Sequence, residues 1–233
     1  DVQDFLLKTS MLEKLTAPLC DAVTGRSDGG RLLPQLERAN LFLVPLDESR
    51  QWFRYEHLFA DLLRHRLAQA AGEDAVADLH QRASVWYQAN GFPREAIDHA
   101  LAARDWEAAA DLLSEVVERY ERTGEVVTLC AWLETIPEEI LLTRPGLGAG
   151  LCVALTFTGR LDEAETLLDR RELMVSEDPV EQARFTAWRS VIESNRGNIA
   201  RSMELAQQAL PLLPASDTEM RAAVSLNLAG AYW

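Results

Sequence analysis

The chain has 233 residues, with 23 Lys and Arg against 37 Asp and Glu, which gives a formal net charge of −14. An apolar fraction of 48% is enough for a packed core and excludes a disordered chain. No apolar stretch approaches the about 18 residues that a membrane span requires, so no membrane contact is expected. The three cysteines, Cys20, Cys130 and Cys152, are odd in number and far apart. This favours reduced thiols in a cytoplasmic protein.

The negative charge is concentrated in the second part of the chain. Residues 1–70 carry 10 acidic and 9 basic residues, whereas residues 71–233 carry 27 acidic and 14 basic residues. Binding to nucleic acid requires basic surface that displaces counterions. The second part is therefore a poor candidate for DNA binding, and the first part would need a local basic patch.

Residues 1–70 begin with short helices. Thr16 followed by Pro18 is typical of a helix start, and Gly25 is typical of a helix end. Ser27 and Asp28 open a second helix. Its apolar face is predicted to carry Leu32, Leu33, Leu36 and Ala39.

A hairpin and a further helix follow. Residues 41–46 and 51–55 have strand character and flank a turn at residues 47–50, and residues 57–67 return to helical spacing. Helices followed by a two-stranded ribbon predict a winged helix in residues 1–70. The boundary is expected at residues 70–75.

Residues 71–233 contain only helical patterns and repeat at regular intervals. A glycine ends one helix, and five positions later a small residue lets the next helix approach closely. The three best examples are Gly91 with Ala96, Gly159 with Ala164 and Gly197 with Ser202, and Gly124 occupies a similar place with a poorer match. The intervals of 33, 35 and 38 residues are near the 34-residue period of tetratricopeptide repeats. The fold class is therefore mainly α, a winged helix followed by a tetratricopeptide-like α-helical solenoid.

Both ends of the sequence suggest a piece of a longer protein. The chain starts without Met inside an apolar pattern, and residues 226–232 look like the first helix of a further repeat. We expect the repeat region to continue after Trp233.

A series of ordered motifs carries a resemblance to a known family. The motifs are FLLKTSML at 5–12, APLCDAVTG at 17–25, LERANLFLVPLD at 36–47, WFRYEHLFADLLR at 52–64, LHQRASVWY at 79–87 and EAIDHALAA at 95–103. Together they closely resemble the large ATP-dependent LuxR-type transcription regulators, the MalT-like group of signalling ATPases. These motifs cover about residues 4–115, and the rest resembles the family only as a helical-repeat region.

The resemblance implies a protein of several modules. Such regulators carry a P-loop ATPase, a winged helix, a helical-repeat sensor and a C-terminal helix-turn-helix that binds DNA. This chain would be the winged helix and the start of the sensor, with ATP or ADP bound by the upstream ATPase module and DNA bound only through the downstream module. A small-molecule or protein signal, and self-association on activation, are implied as well. No G-x-x-x-x-G-K-[ST] motif is present, so neither a cofactor nor enzyme activity is expected of this chain.

One position departs from the family pattern. In related signalling ATPases, a histidine that follows the hydrophobic or Tyr position at the start of the last winged-helix helix faces the nucleotide phosphates. Here Tyr55 is followed by Glu56, whose carboxylate would repel phosphate, and only then by His57. His57 is the remaining candidate for nucleotide contact.

Other arrangements are weaker candidates for sites. Arg184 and Trp188 are four residues apart on one helix and could hold an anion or a planar ligand, although Trp188 in the core beside an exposed Arg184 is the preferred interpretation. The helical set His57, Asp61 and His65 contains zinc-binding residue types, but its ends lie about 12 Å apart along the axis. No metal site is predicted. The glycines at 146, 148 and 150 favour tight helix packing over a phosphate loop.

The sequence therefore predicts the coupling and sensing segment of a cytoplasmic, ATP-dependent transcription activator. Two alternatives stay open. One is a stand-alone repeat adaptor that binds a peptide or protein. The other is a winged helix that binds DNA directly through the helix at residues 30–39, where Arg31 and Arg38 are offset by Glu37.

Overall fold

The computed structural model describes residues 1–173 and 178–230, apart from the side chains of residues 142, 145, 219 and 230. The chain forms two compact units, Asp1–Leu113 and Ser114–Trp233. Within the described ranges, no helix is both long and apolar enough to cross a membrane. The predicted division into a winged helix domain at 1–70 and a repeat region at 71–233 stays a prediction. The expected helix at 226–232 lies partly outside the described residues.

The first unit begins with three helices, a hairpin and a fourth helix. These are α1 (Val2–Thr9), α2 (Ala17–Thr24), α3 (Gly29–Arg38), β1 (Leu43–Pro45), β2 (Phe53–Tyr55) and α4 (His57–Ala70). Thr16 has an extended backbone before α2, and Gly25 ends α2 in the left-handed region at φ 72°. This order confirms the predicted winged helix plan.

The hairpin is tied to the helices by a few specific contacts. Its strands pair antiparallel, with Leu43 opposite Tyr55, and Phe53 also exchanges backbone hydrogen bonds with Leu15. The buried hydroxyl of Tyr55 lies 2.7 Å from that of Thr9 in α1. A buried tyrosine hydroxyl normally requires such a partner, so this contact fixes the hairpin against α1.

A pair of helices, joined by a short turn, follows α4 in the first unit. Helices α5 (Glu73–Ala89) and α6 (Pro93–Ala102) pack against each other, and α5 also packs on α2. The turn between α5 and α6 contains Gly91 at φ 80°. Helix α7 (Trp106–Thr123) begins in this unit and ends in the second.

The second unit consists, in its described residues, of helices and their connections. After the end of α7 come α8 (Val126–Thr135), α9 (Glu138–Thr143), α10 (Pro145–Phe157), α11 (Leu161–Glu172), α12 (Pro179–Asn195), α13 (Ile199–Ala209) and α14 (Thr218–Gly230). Helices α10 and α11 form one hairpin and α12 and α13 another, and α14 packs on both α12 and α13.

The hairpins confirm the sequence repeat. Gly159 and Gly197 adopt φ values of 79° and 82°, which L side chains rarely adopt. The small residues five positions later are fully or almost fully buried at the helix contacts: Ala96 0%, Ala164 0% and Ser202 1% exposed. Gly124, the poorer match, also has a positive φ of 78°.

Arginines tie successive helices of the acidic second unit together. Arg196 contacts Asp162 and Glu165 of α11 at 2.5 and 2.7 Å, and Arg189 bridges Asp169 and Glu172 of α11 at 2.6 Å. Much of the positive charge of this unit is therefore neutralised by carboxylates within it. Fully exposed ion pairs each contribute only about 0–1 kcal/mol, and the arginines of these pairs are partly buried.

The glycines of α10 have the packing role that the sequence predicted. A Cβ atom at Gly150 would lie 2.5 Å from Cγ2 of Val117, and one at Gly148 would lie 2.8 Å from the Arg171 guanidinium. Gly146 has open space around it. Two of the three glycines therefore permit close approach.

One expectation about an apolar face was wrong. Ala39 is exposed, because α3 ends at Arg38 and Ala39 is already its C-cap. Helix α4 keeps its predicted helical spacing, but it buries Ala60, Leu63 and Leu67. Leu58 and Leu62 are left exposed on another face of the helix.

Candidate functional site

Helix α4 presents an exposed surface that combines leucines with charged and imidazole side chains. We define the α4 surface as His57, Leu58, Asp61, Leu62 and His65, all of which are exposed. Leu58 is 85% exposed and Leu62, one turn later, is 49% exposed. Leu58 and Leu62 are neighbours on one helix face, and contiguous exposed apolar surface is the feature that marks contact sites for other protein modules.

The N-terminus of α4 is built by the strands before it. The backbone N–H of Glu56 donates to the carbonyl oxygen of Phe42 at 2.8 Å, and the Phe42 ring lies 5.1 Å from that of Phe59. Phe42 is itself 53% exposed. The exposed Phe42 ring is thus held beside the first turn of α4.

His57, the predicted nucleotide contact, is the first residue of α4 and is exposed. Helix N-termini attract phosphate because their first N–H groups lack partners within the helix. Glu56 is the N-cap residue, is also exposed, and makes no capping hydrogen bond through its side chain. The position of His57 suits an anion, and the neighbouring carboxylate of Glu56 opposes one.

The arginines of α3 are only partly available for other partners. Arg31 donates to the Asp28 carboxylate at 3.0 Å, and Arg26 donates to both oxygens of the same carboxylate. These contacts hold the pKa of Asp28 well below its usual range. Arg38 makes no ion pair with another described residue, so α3 offers one unpaired cation to a phosphate backbone.

In the second unit, Arg184 is committed to carboxylates. Its Nε donates to Asp217 at 2.8 Å, and its Nη1 pairs with Glu181 one turn earlier on α12. Trp188 is half-buried on the same helix. An anionic ligand at Arg184 and Trp188 would have to displace these carboxylates, so their joint role as a ligand site stays a prediction that the geometry does not favour.

Metal and thiol chemistry find little support in the described part of the chain. Among residues 1–173 and 178–230, no three His, Cys, Asp or Glu side chains are grouped to hold a metal ion. Asp61 instead accepts from Arg64 at 2.8 Å. All three cysteines are free and buried, and burial raises the pKa of Cys152 to about 12. Buried thiols of this kind usually serve as small apolar core residues.

A histidine pair was missed by the sequence analysis. The Nδ1 atoms of His80 in α5 and His99 in α6 lie 2.8 Å apart, so one ring donates and the other accepts. The ring of His99 also stacks on Tyr87 at 5.4 Å. Burial lowers the pKa of both histidines, that of His99 to about 3. The 19-residue spacing alone carries no signal for such a pair.

Comparisons with known proteins show which families the sequence of this chain resembles. Residues 1–75 match the MalT winged helix domain family. The chain is 34% identical over 216 residues to the HTH-type transcriptional regulator MalT of Cronobacter sakazakii. This alignment covers 92% of this chain and 24% of that protein. It is 33% identical over 215 residues to MalT of Yersinia pestis, with 90% and 24% covered.

A protein kinase is similar as well. The chain is 32% identical over 217 residues to the serine/threonine-protein kinase PknK of Mycobacterium tuberculosis, which covers 90% of this chain and 20% of the kinase. The chain thus spans about a fifth to a quarter of the length of the curated relatives it matches. Residues 1–75 belong to the MalT winged helix domain family, and the chain is similar to a segment of MalT-type regulators over nine-tenths of its length.

Proposed function

We propose that this chain is the coupling and sensing segment of a cytoplasmic, ATP-dependent transcription regulator of the LuxR type. Its similarity to MalT regulators over nine-tenths of its length supports this assignment. Since the chain spans only about a quarter of those proteins, the ATPase and the DNA-binding helix-turn-helix would lie outside residues 1–233. The segment itself transmits a signal, and we assign it no enzymatic step.

The α4 surface is the observation that carries the proposal. Leu58 is 85% exposed and Leu62 is 49% exposed, so two apolar side chains one helical turn apart lie together on the surface of this chain. An apolar surface is useful where it docks onto another module. We assign the α4 surface to the contact with the upstream ATPase module.

The mechanism that follows is a two-state switch. In the resting form the winged helix closes over the ATPase, and a small-molecule or protein signal bound by the helical hairpins favours an open form. The open form self-associates and presents the DNA-binding module. Such a shift works only if the signal binds the two forms with different affinity.

Nucleotide contact through α4 is part of this proposal. ADP or ATP bound to the ATPase module would meet the N-terminus of α4 in the closed form, with His57 as the contacting side chain. The exposed position of His57 at the first helical residue supports the contact. The neighbouring Glu56 weakens it and would make the closed form easier to open.

The two alternative functions have less support. Direct DNA binding through α3 would depend on Arg38, because Arg31 is already paired with Asp28. A stand-alone adaptor is disfavoured by the similarity to much longer regulators. Direct DNA binding does not explain the exposed leucines of α4.

The proposal is tested in the full-length regulator with a transcription reporter. Leu58→Glu combined with Leu62→Glu should release the closed form and raise transcription without the signal. Val127→Glu in α8 is the matched control, because Val127 is 70% exposed and lies in the other unit. Transcription that stays fully signal-dependent in the double variant would contradict the proposal. A full-length reading frame without a P-loop and a helix-turn-helix would also contradict it.

A further inference from the structure

A pocket of about 300 Å³ lies between the turn of the β-hairpin and the turn that joins α5 to α6. Its lining combines three aromatic side chains, Trp52, Tyr87 and Phe92, with the charged side chains of Lys14, Asp47 and Glu95. All of these residues belong to the first unit. The volume is at the lower end of the range for small-molecule sites.

The aromatic side chains form a fixed corner of the pocket. The rings of Trp52 and Phe92 lie 5.8 Å apart at 71°, and those of Tyr87 and Phe92 lie 5.9 Å apart at 77°. Edge-to-face contacts of this kind hold each ring in place. Together the rings provide a preformed apolar wall.

The hydroxyl of Tyr87 has no hydrogen-bond partner among the described residues, although Tyr87 is only 3% exposed. Tyr55, which is similarly buried at 4%, has its hydroxyl 2.7 Å from that of Thr9. No fully enclosed side-chain N or O atom of the described residues lacks a partner, so the Tyr87 hydroxyl must reach accessible space. Tyr87 lines the pocket, and a bound molecule there would take the place of water as the hydrogen-bond partner of its hydroxyl.

The charged side chains of the pocket differ in their availability. Asp47 is used by the hairpin turn, where it accepts from the backbone N–H groups of Gln51 and Trp52 at 2.9 and 3.0 Å and from the Ser49 hydroxyl. Lys14 and Glu95 make neither an ion pair nor a side-chain hydrogen bond with another described residue. The pocket thus has one cation and one anion available beside its apolar wall.

We propose that this pocket binds a free α-amino acid with an apolar side chain. The ammonium group pairs with Glu95, the carboxylate pairs with Lys14, and the side chain packs on Trp52 and Phe92. A purely apolar molecule would pair with neither charge and would not bond to the Tyr87 hydroxyl. An amine or an acid alone would satisfy only one of the two charges. The binding claim stands by itself, and the role of the amino acid as a regulatory signal rests on the proposed function.

The direct test is calorimetric titration of the 233-residue chain with L-phenylalanine and L-leucine. Phenethylamine, which lacks the carboxylate, and 3-phenylpropionate, which lacks the ammonium group, serve as matched compounds. We expect at least one of the two amino acids to bind, and each matched compound to bind about tenfold more weakly than L-phenylalanine or not at all. No binding of either amino acid at millimolar concentration would overturn the proposal. Equal binding of phenethylamine would overturn it in favour of a site for organic cations.

Variants show whether the amino acid binds in this pocket. Glu95→Gln and Lys14→Gln should each weaken it about tenfold, and Tyr87→Phe should weaken it severalfold. Glu118→Gln and Lys8→Gln are the controls, since neither residue lines the pocket. Glu118 is exposed, and Lys8 is partly exposed and pairs with Asp4 at 3.0 Å. Circular dichroism identifies any variant that fails to fold. If Tyr87→Phe fails to fold, the Glu95 and Lys14 variants decide the outcome. Affinities that match those of the controls would overturn the assignment. The transcription test of the proposed function does not depend on any of these affinities, so the two failures are distinguishable.

Discussion

The hydroxyl of Ser190 donates a hydrogen bond to the backbone carbonyl oxygen of Ser202, 3.0 Å away and twelve positions later in the chain. Ser84 donates to the carbonyl oxygen of Ala96 at 2.8 Å with the same spacing. Helix pairs α5–α6 and α12–α13 are thus joined by the same bond. The pair Cys152 and Ala164 has this spacing as well, and both of its residues are fully buried.

The contact between α12 and α13 should tolerate only small side chains. Ser202→Ala should lower the free energy of unfolding by about 1 kcal/mol, because it removes one buried hydrogen bond. The loss should be no larger, since alanine occupies the equivalent positions Ala96 and Ala164. Ser202→Leu should cost about 3 kcal/mol or more, since a large side chain forces the helices apart. Urea denaturation measures both values. Gln207→Leu, at an exposed position of α13, is the control, and an equal loss there would contradict the account.

The glycines of α10 should respond in opposite directions to alanine. Gly150→Ala should destabilise the chain by about 1–2 kcal/mol, because the new methyl group meets Val117 and this cost exceeds the gain in helix propensity. Gly146→Ala meets no neighbouring atom and should stabilise by up to about 1 kcal/mol. Thermal unfolding followed by circular dichroism compares the two variants. Shifts of the same sign would show that α10 packs differently.

The histidine pair should make stability depend on pH in the mildly acidic range. The pKa of His99 is lowered to about 3 by burial, whereas an unfolded histidine has a pKa of about 6.5. The unfolded chain therefore binds the proton first. The stability that depends on a neutral His99 is fully present above pH ~6.5. Below that pH, the free energy of unfolding falls by up to about 1.4 kcal/mol per pH unit.

The window from pH 6.5 to 5 separates the histidine pair from ion-paired carboxylates such as Asp28 and Glu163, because the pKa of these carboxylates is lowered and they titrate at lower pH. His99→Asn should flatten the slope of unfolding free energy against pH in this window. His65→Asn, at an exposed position of α4, should leave the slope unchanged. A wild-type stability that does not change between pH 6.5 and 5 would contradict the buried, neutral state of His99.

The two residues at the start of α4 should affect nucleotide affinity with opposite signs. In the full-length regulator, His57→Ala should weaken ADP binding about three- to tenfold, because it removes one contact to phosphate. Glu56→Gln should strengthen ADP binding, because it removes a repelling carboxylate. Fluorescent ADP titration measures both. Unchanged affinity in both variants would exclude α4 from the nucleotide site.

The sequence predicted best what local chemistry determines. Gly159 and Gly197 end helices because a positive φ is needed there, and this requirement is visible in the residue itself. The winged helix order was likewise predictable from a change of hydrophobic period and from Thr16 and Gly25. The expectation of an ATPase and a DNA-binding module came from the family resemblance alone, because no pattern within residues 1–233 predicts either module.

Tertiary neighbours decided what the sequence could not predict. Leu58 and Leu62 follow a helical period, yet the buried stripe of α4 passes through Leu63 and Leu67. Arg184 has suitable spacing from Trp188, but its guanidinium is taken by Asp217, 33 positions later. The pocket around Tyr87 combines residues from four segments of the first unit, and their separation in sequence hides it.

The most direct test of the central claim is the affinity of this chain for the ATPase module of the same regulator, measured with ADP by calorimetry or sedimentation. We predict a specific complex that Leu58→Glu with Leu62→Glu weakens at least tenfold and that Val127→Glu leaves unchanged. Absence of a complex, or equal weakening by the double variant and the control, would contradict the role of the α4 surface in coupling.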